Sequence, residues 1–472
     1  MQLVARLAGT AVPYALSIAL TKGVSLALMP WVAAHLSPTE YGRIEVVASI
    51  IEFFGLVFAC GLADTLFRFA GGNCPEDERR DRAASIAGSA IMLAVICAAL
   101  LQAAAPLIQG ALPIPIDETA LRLSLLGVSV GGLIELPLAW LRLRERPGSY
   151  LAFTAARALL QLVFIAWMVS RDARAESVLV AAATVELIMA AVLVSLQARS
   201  TGLRLTREST RWLRGYSLPL ILGGLATFAL GSCDRWFLVE QVAVADLGRY
   251  GIATKLSLAT ALLMQPFGLW WYARRLTVLG EPGGLERSAA AVGLGFAILF
   301  IGGAIMCLVG PGFVRLALPE SYLPAVRWIP WLVLACILNE SASLLNVGCY
   351  ARHTTWMVAA VNASGAAVAI VGYVLLIPDH GVNGAIAATI AAHAVRIAGF
   401  LAVGHRAARI PYPTLPILTL AAASAFGVWW VDGSGPIGIQ VALAFLAPLV
   451  LLAIAFGLGL MRLEPLGRMW AR

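Results

Sequence analysis

Apolar residues run in long stretches through almost the whole chain, broken only by short polar turns. A hydrocarbon crossing needs about 20 apolar residues in helical form. Stretches of that kind recur near 10–34, 44–68, 84–108, 120–141, 149–169, 177–198, 217–239, 247–271, 288–310, 327–349, 354–377, 382–403, 414–431 and 437–461. The pattern therefore predicts an all-α polytopic membrane protein with fourteen transmembrane helices. The largest interruptions, around 199–216 and 311–326, leave no room for a soluble catalytic domain. The first stretch follows a short N-terminal segment ending in Arg6, without a convincing cleavage site, so it is expected to be retained as a span rather than removed as a signal peptide.

Composition agrees with that pattern. Of 472 residues 60% are hydrophobic and 13% charged, with a mean hydropathy of +0.85. A water-soluble domain of this size needs more polar cover than that. The net charge of +8 is carried by arginines in the turns, where membrane topology explains it better than nucleic acid does. With the N-terminus in the cytoplasm, 22 of the 34 cations fall in inside turns, 7 in outside turns and 5 within spans. Positive residues favour the cytoplasmic side, so this bias supports both the span count and an orientation with both termini inside. The seven cysteines and five histidines are scattered, without metal-ligand spacing. The chain carries no nucleotide loop, protease or calcium motif, so no cofactor or metal is expected.

An internal repeat divides the chain. Glu40-Tyr-Gly-Arg43 follows the first span and Asp246-Leu-Gly-Arg249 follows the seventh, at an offset of 206 residues. Six spans separate them, so the two blocks share one orientation, as in transporters built from parallel repeats. The expected division is a six-helix bundle over 1–198, a basic cytoplasmic linker over 199–216, a second six-helix bundle over 217–404, and helices 13 and 14 with a tail over 405–472. The linker (RSTGLRLTRESTRWLR, 199–214) reads as an interfacial amphipathic segment. In that reading Leu203, Leu205, Trp212 and Leu213 turn toward lipid.

The polar groups inside the spans are the candidate site. Lys22 and Lys255 are the only lysines in the chain, and both lie at membrane depth, where a charge is costly and marks a functional path. Arg157, Arg235 and Arg396 also fall within spans, together with Glu45, Ser49 and Glu52 on one face of the second. Glu135, Glu186, Asp234, Asn339, Glu340, Ser343, Asn346 and Asn362 complete the set. Structural pairing offers a simpler role for some of them: Asp234 is placed to serve Arg235 or Lys255, and Glu186 to serve Arg157. Glu45, near an interface, is placed where water could reach it. So many polar groups imply a hydrated lumen. Fixed cations in a low-dielectric lumen attract phosphate, so an anionic headgroup is the natural cargo. An exporter of cationic drugs or metals would place acids at those positions instead.

Five stretches carry a resemblance. They are Leu36-Ser-Pro-Thr-Glu-Tyr-Gly42, Gly61-Leu-Ala-Asp-Thr-Leu-Phe-Arg-Phe69, Ser217-Leu-Pro-Leu with Cys233-Asp-Arg-Trp-Phe237, Leu247-Gly-Arg-Tyr-Gly-Ile-Ala-Thr-Lys255, and Gly381-Val-Asn-Gly-Ala-Ile-Ala-Ala-Thr389. In their order and placement the chain resembles Wzx-type polysaccharide and O-antigen lipid flippases. These belong to the multidrug/oligosaccharidyl-lipid/polysaccharide (MOP) superfamily, which also holds MATE exporters and MurJ-type flippases. The resemblance implies two six-helix bundles with two appended helices, in a bacterial inner membrane. It also implies movement of an undecaprenyl-pyrophosphate-linked oligosaccharide from the inner to the outer leaflet, for assembly of O-antigen or exopolysaccharide. Lys22 stands where MATE exporters often carry an acid, a departure that argues against cation efflux.

On this reading the expected mechanism is alternating access. The sugars cross a hydrated lumen, the prenyl tail stays in lipid, and Lys22, Lys255, Arg235 and Arg157 face the pyrophosphate. Glu52, Asp234, Glu340 and Asn339 line the lumen and are candidates for ion coupling. The expected partners are the lipid-linked substrate, membrane lipids and a polysaccharide polymerase or glycosyltransferase complex. Two rivals remain open: a MATE-like ion-coupled antiporter of small molecules, and an integral-membrane glycosyltransferase or polymerase. The second would need a sizeable external loop or an acidic catalytic motif, which the sequence lacks.

Overall fold

Long helices follow one another through the chain because the backbone amides of a segment in lipid must be satisfied within that segment. The computed structural model describes residues 2–59, 61–72, 74–352, 356–432 and 437–461. Every regular element among them is a helix. In order these are α1 (Gln2–His35), α2 (Pro38–Ala59), α3 (Leu62–Ala70), α4 (Glu76–Ala111), α5 (Glu118–Ser129), α6 (Gly131–Leu143), α7 (Pro147–Arg171) and α8 (Ala175–Thr201). There follow α9 (Arg207–Gly231), α10 (Asp234–Gln241), α11 (Val244–Gly280), α12 (Gly284–Ala317), α13 (Ile329–Leu345), α14 (Trp356–Ala407), α15 (Thr414–Asp432) and α16 (Ile437–Gly457). Short 3-10 turns at Glu320–Trp328 and Asn346–Arg352 flank α13.

The fourteen spans are present. Eleven helical segments are long and apolar enough to cross a membrane, and the bent pair α9–α10 makes a twelfth. The 52-residue α14 contains two of the expected spans, because Gly381 (φ 53°, ψ −129°) breaks the helical backbone between them. That conformation is open to glycine and strained for any residue with a Cβ. The shorter apolar segment Ala442–Gly457 supplies the last. Gly61 breaks the second span in the same way (φ 83°), and a side chain there would also press on the Ser217 backbone at 3.0 Å.

The chain gathers into two compact units, residues 1–248 and 249–472. In the first, α7 packs along α1, α5 along α8, and α9 against α2, α3 and α4, so the seventh span is part of this unit. Its interior is built around Leu62, Leu66, Ile86, Trp140 and Leu213 in one cluster and Ile134, Val185, Met189 and Leu193 in another. In the second unit, Phe267 and Trp271 of α11 join Val292, Phe296, Leu344 and Phe400 in one extended core.

The repeated tetrapeptides touch each other within the first unit. A Cβ on Gly42 would fall on the Val244 carbonyl oxygen, and one on Gly248 would fall on the Pro38 carbonyl oxygen. Pro38 and Gly42 map onto Val244 and Gly248 by the same 206-residue offset, so the contact is reciprocal. Small residues of this kind let membrane helices approach to backbone contact. That requirement explains why both copies of the motif keep glycine.

The linker departs from the expected lipid-facing segment. Arg204 N–H donates to the Ala84 carbonyl at 3.0 Å, and its guanidinium pairs with Asp81 at 2.7 Å. Ser209 bonds Ser89 at 2.7 Å, and Thr206 caps α9 through the Ser209 amide. Trp212 stacks on Phe69 at 4.6 Å and Leu213 is buried in the first unit's core, while Leu203 and Leu205 stay exposed. Pairing its own backbone with α4 binds this segment to the protein more firmly than the interface would.

Gly248→Ala is expected to cost about 1–3 kcal/mol, the range for overpacking a tight contact. Gly23→Ala, where nothing lies within 4 Å of the new methyl, should be neutral. Thermal unfolding of the two purified variants in one detergent decides the matter; equal melting temperatures would contradict the close-packed contact.

A candidate polar site in the membrane interior

One face of α7 carries Tyr150, Thr154, Arg157 and Gln161, at i, i+4, i+7 and i+11. The upper members hold α1: the Tyr14 and Tyr150 rings meet edge to face at 5.1 Å, and the Ser17 and Thr154 hydroxyls lie 2.6 Å apart. The lower members form a charged cluster. Arg157 donates from Nη2 and Nε to Glu186 Oε1 at 2.7 and 3.1 Å, and Gln161 Nε2 donates to the same oxygen at 3.2 Å. Glu135 stands 3.8 Å from Arg157 Nη1. A cavity of about 310 Å³ opens beside Arg157, Gln161 and Glu186, walled by Gly55, Ser124, Gly127 and Gly131.

A second cluster joins α2 to α10. Arg235 Nη1 donates to Asp234 Oδ1 at 2.8 Å and to the Gly231 carbonyl at 3.1 Å, and Arg235 Nε lies 3.5 Å from Glu45. All three side chains are at most 8% exposed. One helical turn along α2, Ser49 Oγ accepts from Trp236 Nε1 at 3.0 Å, and Phe53 and Phe228 close around the indole. The expected polar face of α2 thus splits. Glu45 is buried against an arginine rather than wet, Ser49 is buried, and Glu52 is exposed, with no hydrogen bond or ion pair to a described residue.

The second unit handles its cation differently. Arg396, 7% exposed, donates from Nε to Asn362 Oδ1 at 3.0 Å and from Nη1 to Asn339 Oδ1 at 2.8 Å. Nη1 also lies 2.9 Å from His393 Nδ1. Arginine has no acceptor, so that ring nitrogen accepts, and His393 carries its proton on Nε2. No carboxylate among the described residues comes within ion-pair distance of Arg396. Glu340 takes a hydrogen bond from Asn339 at 3.4 Å instead. Gly365 makes room for the arginine stem, since a Cβ there would fall on Arg396 Cγ and 2.7 Å from Cδ. The polar stripe Asn339 and Ser343 on α13, continued by Asn346 at the start of the following 3-10 turn, reaches a further cation. Arg275 donates to Asn346 Oδ1 at 2.7 Å and lies over the Tyr272 and Tyr350 rings at 5.2 and 4.5 Å.

The candidates therefore fall into separate groups. Arg157 joins Glu186 and Glu135; Arg235 joins Asp234 and Glu45; Asn339 joins Arg396 and, through its amide, Glu340. Lys22 is exposed on α1 in the first unit and forms no ion pair to a described residue, whereas Lys255 is half-buried on α11 in the second. Arg275 belongs to the interior of a helix and not to a turn, because α11 continues to Gly280. Gln161, His393 and Gly365 were not singled out from the sequence. The i, i+4 step from Arg157 and the i−3 step from Arg396 were the available signals for the first two. Chemically, an arginine flanked by two carboxylates spends its charge locally. One held by neutral amides keeps a positive field for an anion.

The fold is similar to those of solved multi-span membrane proteins. The chain matches the lipid II flippase MurJ in an inward closed conformation with a TM-score of 0.72 at 12% identity, over 96% of this chain and 99% of that one. It matches the MATE multidrug transporter DinF-BH with a TM-score of 0.58 at 12% identity, over 85% and 95%. An inward-facing MATE family transporter of the MOP superfamily matches with 0.57 at 12%, over 84% and 95%. No curated protein matches the chain in sequence. Residues 32–267 match the family model described as polysaccharide biosynthesis protein, and the chain belongs to that family.

Two outcomes follow from the geometry. Gly365→Ala is expected to displace Arg396 and cost about 1–3 kcal/mol, with Gly427→Ala, in open space, as the neutral control. In a double-mutant cycle, Arg157→Gln and Glu186→Gln should couple by about 0.5–3 kcal/mol. Strict additivity in thermal unfolding would remove the pair from the account.

Proposed function

We propose that this protein is a transporter that moves an undecaprenyl-pyrophosphate-linked oligosaccharide from the inner to the outer leaflet of a bacterial cytoplasmic membrane, for assembly of a surface polysaccharide. The observation that supports this most is the pairing of a polysaccharide-biosynthesis family with a membrane interior in which Arg396 rests on neutral acceptors. Such a cation draws a phosphate without first breaking a salt bridge. Lys22 and Lys255 each take part of the headgroup charge during passage, as compact point charges. Arg157 and Arg235, already paired with acids, serve mainly to set the helices that carry the path.

The two six-helix bundles of the proposal are 1–198 and 217–404, joined by 199–216 and followed by helices 13 and 14, with both termini cytoplasmic. Transport proceeds by alternating access and needs no bond-making chemistry, so the protein acts as a carrier and not as an enzyme. An inside-negative potential favours outward movement of the anionic headgroup by about 2.3 kcal/mol per charge per 100 mV. The acid excess around Arg157 and Arg235 favours a second reading, an ion-coupled small-molecule antiporter, in which those carboxylates carry the coupling cation.

Reconstituted protein carrying a fluorescent undecaprenyl-pyrophosphate oligosaccharide separates the two. Wild type is expected to expose the sugar to an external glycosidase well above the protein-free rate, and Lys22→Ala and Lys255→Ala to lower that rate about tenfold each, the effect of losing one charge-assisted contact. A wild-type rate equal to that of empty vesicles, with uptake of cationic dyes, would favour the antiporter. Wild-type rates in both lysine variants would remove the lysines from the path.

A further inference from the structure

We propose that the arginine-rich end of the first unit holds a binding site for a lipid headgroup that combines a phosphoryl group with a hydrogen-bond donor. A cavity of about 460 Å³ lies there among α4, α6, α7 and α8, within the usual range of ligand cavities. Arg80, Arg144 and Arg146 line it. Their counter-charge is thin. Glu76 is shared by Arg79 at 3.6 Å, Arg80 at 3.0 Å and Arg144, while Arg146 forms no ion pair to a described residue. Glu145, between Arg144 and Arg146, is exposed and pairs with neither. Of the three arginines that line the cavity, Arg80 and Arg144 share the Glu76 carboxylate and Arg146 pairs with none of the described acids, which leaves the lining net positive. The first turn of α7 opens onto the cavity at Ser149 with no acidic residue and no side-chain cap, so its amides add to the field.

The independent observation is Gln197. It lines the cavity, is only 3% exposed, and its Oε1 has no partner. Its Nε2 donates at 3.0 Å to the Thr201 hydroxyl, which itself lies within hydrogen-bond distance of the Gln197 and Gly202 carbonyls. A buried acceptor without a donor costs free energy, and a turn of the side chain toward the cavity it lines lets a ligand hydroxyl or amine remove that cost. Phosphate on the arginines, a donor on Gln197, and the apolar flank of Trp140 and Leu196 for the adjoining chain describe a phospholipid with a hydroxyl or amine in its headgroup, or a prenyl phosphate that carries a sugar. The inference stands apart from the transport reading, since a bilayer lipid would occupy the site whether or not the protein moves sugars.

Native mass spectrometry of the purified full-length protein tests it with three probes: phosphatidylglycerol, an undecaprenyl-pyrophosphate-linked sugar and phosphatidylcholine. At least one of the first two is expected to be retained about tenfold more tightly than phosphatidylcholine, and Arg146→Gln with Gln197→Leu to abolish the difference. Arg146→Gln alone, at an exposed position, should already weaken retention and guards against a folding defect in the double variant. Retention of phosphatidylglycerol alone assigns the site to a bilayer lipid, and retention of the pyrophosphate alone assigns it to a cargo. Equal retention of all three probes, or variants that bind as wild type does, would overturn the proposal.

Discussion

A charge placed in hydrocarbon must be compensated, and the structure is organised by how each buried cation meets that demand. Desolvating an ion costs several kcal/mol even after relaxation. In the first unit the cost is met by carboxylates, with Glu186 and Glu135 on Arg157, and Asp234 and Glu45 on Arg235. These pairs cross-link α6, α7 and α8 in one place and α2 with α10 in another. In the second unit Arg396 is stabilised by amide oxygens and a neutral imidazole, which satisfy its hydrogens without cancelling its charge. The same residue type thus serves as a structural tie in one unit and as a standing positive field in the other.

Close backbone contact is the second theme. In a membrane the helices gain little from apolar burial against lipid, so association rests on packing and on polar contacts. Gly42 and Gly248 meet each other's preceding turns, Gly365 admits the Arg396 stem, and Gly88 admits the Arg204 backbone that ties the linker to α4. Each glycine occupies a place where a methyl group would strike backbone or a charged side chain. The positions of the charges therefore depend on where side chains are missing.

Much of this was legible in the sequence. The fourteen spans and the pairing of Arg157 with Glu186 follow from hydrophobic run length and from the cost of lone charges, whereas the sequence left Asp234 to either Arg235 or Lys255. The break at Gly381 fell at the boundary between two expected spans. Less was legible wherever one helix outran its hydrophobic segment or where tertiary contact overrode amphipathicity. Arg275 looked like a turn residue because α11 continues beyond its apolar run. Trp212 and Leu213 looked lipid-facing until the Arg204 and Ser209 contacts turned them inward. Glu45 looked wet because its partner lies almost two hundred residues away. His393 and Gly365 matter only through Arg396, a dependence that pattern alone does not carry.

A polysaccharide biosynthesis family and a transporter-like fold meet, in this chain, a buried arginine whose hydrogen bonds go to neutral acceptors, with Glu340 reached only through Asn339. In the proposed function this arginine selects a phosphate-bearing lipid. The most direct measurement compares, in the same proteoliposomes, the translocation rates of one oligosaccharide linked to undecaprenol through pyrophosphate and through an uncharged glycosidic bond. The pyrophosphate form is expected to cross about tenfold faster or more, the consequence of one charge-assisted contact. Equal rates for the two lipids would contradict it.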